Sequence, residues 1–266
     1  MADKTNAPEP PDLTEEVFAA LEEKAALPIS SMIVLGILAR VYVGLGGLFA
    51  TIALSGADAM PFGVAQVLAG LVFSTGLALV LIAGAELFTG NILMAGPVAA
   101  GRINPGKAAW ALAVVYCWNF AGSLLLAALV LAAGVHEAGD GAVGRAALEL
   151  GAAKTDKAFM AALASGILAN MLVCLAVWLA YAGRTVIQKF AGIILPIAAF
   201  VAAGLEHSVA NMYLLPYALM VQAATGDTAA SMSVAAIVGN LVPATGGNIV
   251  GGSLVALAYG HVYARR

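Results

Sequence analysis

Long apolar stretches separated by short polar segments dominate this chain. A helix crosses the hydrocarbon core of a membrane with about 20 mostly apolar residues, and a stretch without charged residues marks such a crossing. Six long, mostly apolar stretches with few charged residues are candidates, at residues 30–55, 62–100, 108–135, 158–182, 188–222 and 231–262. The pattern therefore predicts an all-α integral membrane protein with six transmembrane helices.

The second and fifth stretches are too long for one ordinary crossing. Each has a glutamate near its middle, Glu86 in the second and Glu206 in the fifth, with several Gly and Ala residues around it. A charged group at this depth is unfavourable unless it is paired or faces a cavity. We therefore predict that transmembrane helices 2 and 5 are interrupted.

Residues 1–27 form a separate segment before the transmembrane domain, which we place at 28–266. The segment starts acidic and proline-rich, whereas a cleaved signal has a basic start and an apolar core, so we expect no signal peptide. Asp12 followed by Glu15 resembles a helix-capping box. One apolar helix face is formed by Val17, Phe18, Leu21 and Leu27. We predict an amphipathic helix that lies on the membrane surface, contacts the mouth of the bundle or only tethers the chain.

The composition supports a membrane protein. Hydrophobic residues make up 62% of the chain and charged residues 10%, whereas soluble domains are about 25% charged. Soluble enzymes, disordered proteins and nucleic-acid-binding proteins are therefore excluded.

Cys117 and Cys174 lie in apolar runs without metal or redox spacing, and no protease motif or ATP-binding loop is present. We expect neither catalysis nor a cofactor or metal.

Lysine and arginine residues are unevenly divided between the two ends of the predicted helices. With the N-terminus inside, eight fall on the inner side and three, Arg145, Lys154 and Lys157, fall in one outer loop. Cytoplasmic loops carry the excess of these residues. We therefore expect both termini in the cytoplasm.

The chain also contains an internal repeat. Three motifs recur in the same order: Gly-Ile-Leu-Ala at 36–39 and 166–169, Glu-x4-Asn at 86–91 and 206–211, and Asn-x-x-Gly at 119–122 and 248–251. We interpret them as two units, at about 28–135 and 158–262. Since each unit has three crossings, an odd number, the units would have opposite polarity in the membrane, as in inverted-repeat transport proteins.

Away from the ends of the stretches, few side chains are charged: Arg40, Glu86 and Glu206, with His207 beside the last. We interpret the two glutamates as groups that bind backbone N–H groups freed by the breaks. A direct part in moving protons or substrate is the alternative. A histidine at a break can donate hydrogen bonds or exchange protons near neutral pH.

Five asparagines also lie at apparent membrane depth, where amides usually hydrogen-bond between helices. For Asn170, Asn211 and Asn248 a role in the site and a role as scaffold are equally supported. For Asn119 and Asn240 we favour the scaffold role.

Four segments of the chain form recognisable motifs: Ala-Glu-Leu-Phe-Thr at 85–89, Gly-Ile-Leu-Ala-Asn with the run to Trp178 at 166–178, Gly-Leu-Glu-His-Ser at 204–208 with its continuation to 212, and Asn-Leu-Val-Pro with its continuation at 240–252. Together they resemble the formate/nitrite transporter family, and its formate channel branch more than its nitrite branch. The resemblance implies an aquaporin-like fold, a homopentamer with one pore per subunit, a bacterial inner-membrane location and small monovalent anions as substrates.

The resemblance also implies roles for individual residues. His207 resembles the central pore histidine, Lys154 a lysine near the pore entrance, and Thr89 a threonine that bonds toward the histidine. The outer and inner apolar constrictions are matched by Leu87 with Phe200 and by Phe73 with Leu77, respectively. The loop residues Gly90 and Asn91 depart from the small hydroxyl residues expected there, so gating by this loop does not carry over.

The sequence thus predicts passive or proton-coupled passage of formate through a pore in the lipid bilayer, with nitrite as the alternative substrate. It predicts no binding of nucleic acid. A membrane scaffold or sensor without transport is the alternative from another class of proteins. A water channel fits poorly, because its two Asn-Pro-Ala triplets are replaced by Asn-Ile-Leu at 91–93 and Asn-Met-Tyr at 211–213.

Overall fold

A computed structural model of the protein describes residues 6–227 and 232–264. Within these ranges the secondary structure is helical, without strands. The helices are α1 (Pro10–Ala25), α2 (Ile29–Leu54), α3 (Phe62–Ala83), α4 (Phe88–Asn91), α5 (Ala95–Ala99), α6 (Pro105–Ala132), α7 (Ala142–Thr155), α8 (Phe159–Ala182), α9 (Val186–Ala202), α10 (Ser208–Thr225) and α11 (Val234–Tyr263). Short 3₁₀ turns lie at Ala57–Ala59, Ile92–Met94 and Val135–Glu137.

Five of these helices, α2, α3, α6, α8 and α11, are long and apolar enough to span a membrane. The apolar helix α9 is shorter, with 17 residues. The all-helical membrane fold predicted from the sequence is confirmed. The count of six crossings with two inverted units stays a prediction, and so do the boundaries 1–27 and 28–266, whose outermost residues lie outside the described ranges.

Two breaks interrupt the second and fifth predicted stretches, as expected. The first separates α3 from α4 at residues 84–87, and the second separates α9 from α10 at 203–207. Gly84 and Gly204 have the positive φ values 81° and 61°. Because a residue without Cβ adopts this left-handed conformation at little cost, each glycine lets the chain leave its helix within the bundle.

The helix α1 begins earlier than the sequence indicates. Its N-cap residue is Glu9, and Pro10 and Pro11 form its first positions. The expected capping box with Asp12 as N-cap is therefore wrong. Proline starts a helix well, because its φ is already helical and the first N–H groups have no partner inside the helix.

The apolar face of α1 packs against the end of the bundle, which decides between the three placements considered. Val17, Phe18 and Leu21 are buried and contact α5, α8 and α11. A Cβ atom on Gly96 would lie 2.6 Å from the Phe18 ring, so α1 docks closely only with glycine there. Leu27 lies beyond the end of α1 and packs against another part of the core.

A second amphipathic helix, α7, lies at the opposite end of the bundle. The sequence analysis treated these residues as part of a longer loop. Val143, Ala147 and Gly151 are buried at four-residue spacing, and α7 packs against α10. We refer to the two ends of the molecule as the α1 end and the α7 end.

Candidate functional site

Two asparagines hold the two breaks in place. The Asn119 Oδ1 atom accepts the Phe88 N–H at 3.0 Å, and Asn119 Nδ2 donates to the carbonyls of Gly36 at 2.8 Å and Glu86 at 3.0 Å. The Phe88 amide belongs to the first turn of α4, where backbone N–H groups have no partner inside the helix. Asn119 therefore fixes the start of α4 to α2 and α6.

Asn248 makes the equivalent contacts in the second half. Its Oδ1 atom accepts the Ser208 N–H and the Ser208 hydroxyl at 2.8 Å each. Its Nδ2 atom donates to the carbonyls of Gly166 at 2.8 Å and Glu206 at 3.0 Å. These partners occupy the repeat positions proposed from the sequence, as a duplicated unit would require.

The expectation that Glu86 and Glu206 bind the free backbone N–H groups is wrong. Glu86 accepts from Asn91 Nδ2 at 2.7 Å and from Lys24. Glu206 accepts from Asn211 Nδ2 at 2.6 Å and from Asn240 Nδ2 at 3.1 Å. A carboxylate only accepts hydrogen bonds, whereas an amide both donates and accepts. An amide, unlike a carboxylate, can therefore join a free N–H and a free carbonyl at the same break.

Asn170 and Asn211 link the breaks to neighbouring helices. Asn170 Nδ2 donates to the Thr89 carbonyl at 3.2 Å and to the Asn248 carbonyl at 2.7 Å. Asn211 Nδ2 bonds the Asn240 Oδ1 atom at 2.7 Å in addition to Glu206. Both side chains are fully buried.

His207 is the N-cap residue of α10 and is 3% exposed. Its Nδ1 atom accepts the Ala210 N–H at 3.4 Å, which assigns the proton of a neutral imidazole to Nε2. The Nε2 atom is buried and has no hydrogen-bond partner among the described residues. The ring thus presents a donor to the interior.

Thr89 does not bond to His207 in this structure, contrary to expectation. The Thr89 hydroxyl is buried and makes no hydrogen bond to any residue in 6–227 or 232–264. The His207 Nδ1 atom is occupied by the Ala210 N–H, so a bond could form only from Nε2–H to the hydroxyl. Thr89 Oγ1 and His207 Nε2 are therefore both buried and unpaired among the described residues, as are Asn170 Oδ1 and Asn211 Oδ1.

The four residues expected to form two separate constrictions belong to one buried cluster: Phe73, Leu77, Leu87 and Phe200. The Phe73 and Phe200 rings meet edge to face, with centroids 5.5 Å apart. The Phe200 ring lies 5.5 Å from the His207 ring. Assigning Phe73 and Phe200 to opposite constrictions is therefore wrong. The helix α3 starts at the α7 end, so Phe73, one turn before Leu77, lies nearer to that end.

Lys154 lies beside this pair of rings at the α7 end. Together with Phe73 and Phe200 it lines a cavity of about 80 Å³. Its Nζ atom is 3.3 Å from Glu206 Oε1, and Lys157 Nζ is 2.8 Å from the same oxygen. Burial lowers the pKa of the Lys154 ammonium, and the Glu206 carboxylate opposes this effect. Two ammonium groups around one carboxylate leave a net positive charge at this opening.

The role of Lys157 was not predicted from the sequence. The equivalent lysine–glutamate pair at the α1 end was not predicted either. There Lys24 pairs with Glu86 and lines a cavity of about 110 Å³ with Tyr181 and Lys189. Lys24 and Lys154 are 130 residues apart, as are Gly36 and Gly166. This separation is the sequence signal that could have found the Lys24–Glu86 pair. In the described ranges, no group of three or more His, Cys, Asp or Glu residues could hold a metal ion.

Helices broken inside an apolar bundle, with amides holding the breaks and lysines at both openings, define a membrane transport protein. A model of the family described as "Formate/nitrite transporter" matches residues 11–262. The chain belongs to the formate/nitrite transporter family.

Named relatives of this chain include formate channels. The chain is 37% identical over 244 residues to the formate channel FocA of Escherichia coli (strain K12), covering 87% of this chain and 86% of FocA. It is 36% identical to a probable formate transporter of Methanothermobacter thermautotrophicus, covering 96% of each chain. A solved structure described as a pentameric formate channel with formate bound has a TM-score of 0.82 and 37% identity, covering 88% of this chain and 97% of that chain.

Proposed function

We propose that this protein conducts formate across the bacterial inner membrane as a homopentamer with one pore in each subunit. Nitrite is the alternative substrate within the family. The observation that carries the proposal is the buried His207 Nε2–H donor at a break, in a chain similar to a pentameric channel with formate bound. Formate and nitrite both present the acceptor oxygens that such a donor requires.

The proposed path runs from the Lys154 cavity through the apolar cluster to the Lys24 cavity. At the α7 end, Lys154 and Lys157 would raise the local anion concentration. Beyond them lie Phe73 and Phe200. An unpaired ion in such a dry apolar region is unfavourable by tens of kcal/mol in the idealised case. Passage therefore depends on donors within the cluster.

His207 supplies one such donor. In the proposed mechanism the Nε2–H group binds an oxygen of the anion while the Ala210 N–H holds the ring in place. The sequence also allows proton-coupled passage, in which His207 passes a proton to the anion. This step would require an imidazolium with protons on both nitrogens. That form would give up the 3.4 Å bond from Ala210, and a bond of this length is weak.

The remaining polar residues hold the walls of the path in place and do not react with the substrate. We assign to Asn170, Asn211 and Asn248 the positioning of the two breaks through their hydrogen bonds. Glu206 holds the lysine pair at the opening, and Thr89 offers a hydroxyl that the protein leaves unpaired in the described part of the chain. The orientation with cytoplasmic termini belongs to the same proposal.

The decisive experiment is formate flux into proteoliposomes that contain the purified protein. We expect uptake well above that of empty vesicles, with competition by nitrite. Vesicles that conduct neither anion would contradict the proposal and favour a scaffold or sensor. Chemical cross-linking of the detergent-solubilised protein should stop at five subunits.

A further inference from the structure

Arg40 is a fully buried arginine in the middle of α2, 0% exposed. Its Nε atom donates to the Ser123 hydroxyl at 2.7 Å. The two terminal nitrogens, Nη1 and Nη2, are buried without a hydrogen-bond partner in the part of the chain that the structure describes. The four N–H groups on these two nitrogens therefore lie in the interior without an acceptor.

This side chain carries a full positive charge, because a guanidinium does not deprotonate in proteins. A buried charge is strongly unfavourable without a paired opposite charge. The buried carboxylates of the two breaks are already paired, Glu86 with Lys24 and Glu206 with the lysines of the α7 end. Arg40 has no ion pair with any of the side chains that the structure describes. A bound anion would supply the counter-ion that these side chains do not.

The internal repeat places Arg40 at the second break. Arg40 and Asn170 directly follow the two copies of the Gly-Ile-Leu-Ala motif. Asn170 donates to the Thr89 carbonyl in the first turn after the first break. The equivalent position for Arg40 is the first turn of α10, after the second break, where His207 is the N-cap. In agreement, the Arg40 charge acts electrostatically on the His207 ring.

We propose that Arg40 is a second anion-binding group of the pore, which holds the substrate as an ionised anion beside His207. The proposal rests on the proposed function. A planar guanidinium matches the two oxygens of formate or nitrite with two parallel N–H groups. The His207 Nε2–H adds a third donor. With this charge at the centre, the anion does not need to take up a proton in order to cross the apolar cluster.

The proposal is tested with Arg40→Gln, which keeps hydrogen-bond donors but removes the charge. Formate flux into proteoliposomes is measured against formate concentration and pH. We expect the half-saturating concentration to rise about tenfold or more, as for loss of a hydrogen bond to a charged group. Flux through Arg40→Gln should also increase more steeply than wild-type flux as the pH falls and neutral formic acid becomes available.

Two matched variants complete the test. Ser123→Ala removes the single hydrogen bond that the described residues make to Arg40 but leaves its charge, so its half-saturating concentration should stay close to that of the wild type. Arg40→Lys keeps the charge without the planar fork and should fall between wild type and Arg40→Gln. Unchanged half-saturation and an unchanged pH profile in Arg40→Gln would overturn the proposal. Absence of flux in the wild type would instead contradict the proposed function.

A measurement on the wild type covers the case in which Arg40→Gln does not fold. Crystals soaked in potassium bromide should show an anomalous peak within hydrogen-bond distance of the Arg40 Nη atoms, and formate should displace it. Bromide bound at Lys154 and Lys157 but not at Arg40 would overturn the proposal, because the anions would then bind only at the opening.

Discussion

At the scale of single residues, the structure separates groups that hold the chain from groups that are free to hold a substrate. Asn119 and Asn248 use both ends of their amides on backbone atoms. His207 uses one ring nitrogen for the backbone and leaves the other as a buried donor. The sequence favoured a scaffold role for Asn119 and a pore role for His207, but it left Asn248 open, because an asparagine within an apolar stretch can serve either purpose.

His207→Phe tests the role of the free donor. Phenylalanine keeps an aromatic volume but has neither the Nε2 donor nor the Nδ1 acceptor, so formate flux should fall to near that of empty vesicles. The measurement is proteoliposome flux, with size-exclusion chromatography as the control for folding and assembly. Wild-type flux in a well-folded variant would show that the histidine serves only as a helix cap.

His207→Asn tests proton exchange separately. Asparagine can accept the Ala210 N–H and still donate a hydrogen bond, but it does not titrate near neutral pH. If His207 exchanges protons, this variant should retain some flux and lose the pH dependence of the wild type. Identical pH profiles in the two proteins would contradict proton exchange and leave hydrogen-bond donation as the role of His207.

The charge at the α7 opening predicts a salt-dependent rate. Lys154→Gln leaves only Lys157 to balance Glu206, so the net positive charge of the opening is lost. Formate flux should fall severalfold at low salt and little at high salt, where charges are screened. Lys154→Arg, which keeps the charge, should show wild-type salt dependence. Equal flux of Lys154→Gln and wild type at every salt concentration would contradict steering by this charge.

At the scale of elements, the two breaks depend on a few buried amides rather than on helix propensity. The breaks themselves could be predicted, because a glutamate in the middle of an overlong apolar stretch has no place in a continuous helix. The partners of the broken ends could not, because Asn119 comes from α6, 31 residues after the Phe88 amide that it binds. Such a contact depends on how the helices pack.

Asn119→Ala should destabilise the protein without changing the residues proposed to bind the anion. It leaves Phe88 N–H and the carbonyls of Gly36 and Glu86 without their partner. An unsatisfied buried group is unfavourable by about 1–3 kcal/mol, so the midpoint of thermal unfolding should fall by several degrees. Asn119→Asp keeps the acceptor but places a carboxylate oxygen against the carbonyls of Gly36 and Glu86, so it should destabilise the protein at least as much as Asn119→Ala. Unchanged melting of Asn119→Ala would contradict the assigned role.

The helix α1 is held to the bundle by exposed ion pairs in addition to its apolar face. Arg184 bonds both carboxylate oxygens of Glu16 at 2.8 Å, and Arg102 pairs with Glu15 and Glu22. The hydrogen bond from Arg184 lowers the pKa of Glu16 below its ordinary value. This contribution to docking is complete above the ordinary pKa and is lost as the pH falls through the lowered one.

We therefore expect α1 to exchange its amide hydrogens faster as the solution becomes acidic. Hydrogen exchange followed by mass spectrometry on peptides from residues 10–25 measures this directly, after correction for the intrinsic pH dependence of exchange. Glu16→Gln should show part of the acid effect already at neutral pH. Protection of α1 that stays the same from neutral to acidic pH would contradict the role of this ion pair.

At the scale of the whole molecule, the repeat includes more than the sequence motifs indicated. The set of contacts in each half is the same. An amphipathic helix supplies a lysine, Lys24 or Lys154, to the glutamate at a break, and an asparagine holds the helix that follows. Motif matching left both amphipathic helices outside the repeat, because α1 and α7 share this lysine but little of the sequence around it when the two lysines are aligned. The equivalence of α1 and α7 becomes clear only from the structure, in which each supplies the lysine of a lysine–glutamate pair.

The repeat makes a prediction about topology. If each unit crosses the membrane three times, α1 and α7 must lie on opposite sides of the bilayer, and the lysine distribution places α1 in the cytoplasm. Single cysteines can report this in a background in which Cys117 and Cys174 are replaced by alanine. Glu23 on α1 and Glu149 on α7 are both exposed, so each accepts a cysteine with little effect on packing.

A membrane-impermeant thiol reagent applied to intact spheroplasts should label Glu149→Cys and leave Glu23→Cys unlabelled until the membrane is permeabilised. Labelling of both cysteines, or of neither, would place α1 and α7 on one side and contradict two inverted units. Labelling of Glu23→Cys alone would keep the inverted units but reverse the orientation. In that case the lysine pair at Glu206 would face the cytoplasm, and the Lys24–Glu86 pair would meet anions arriving from outside.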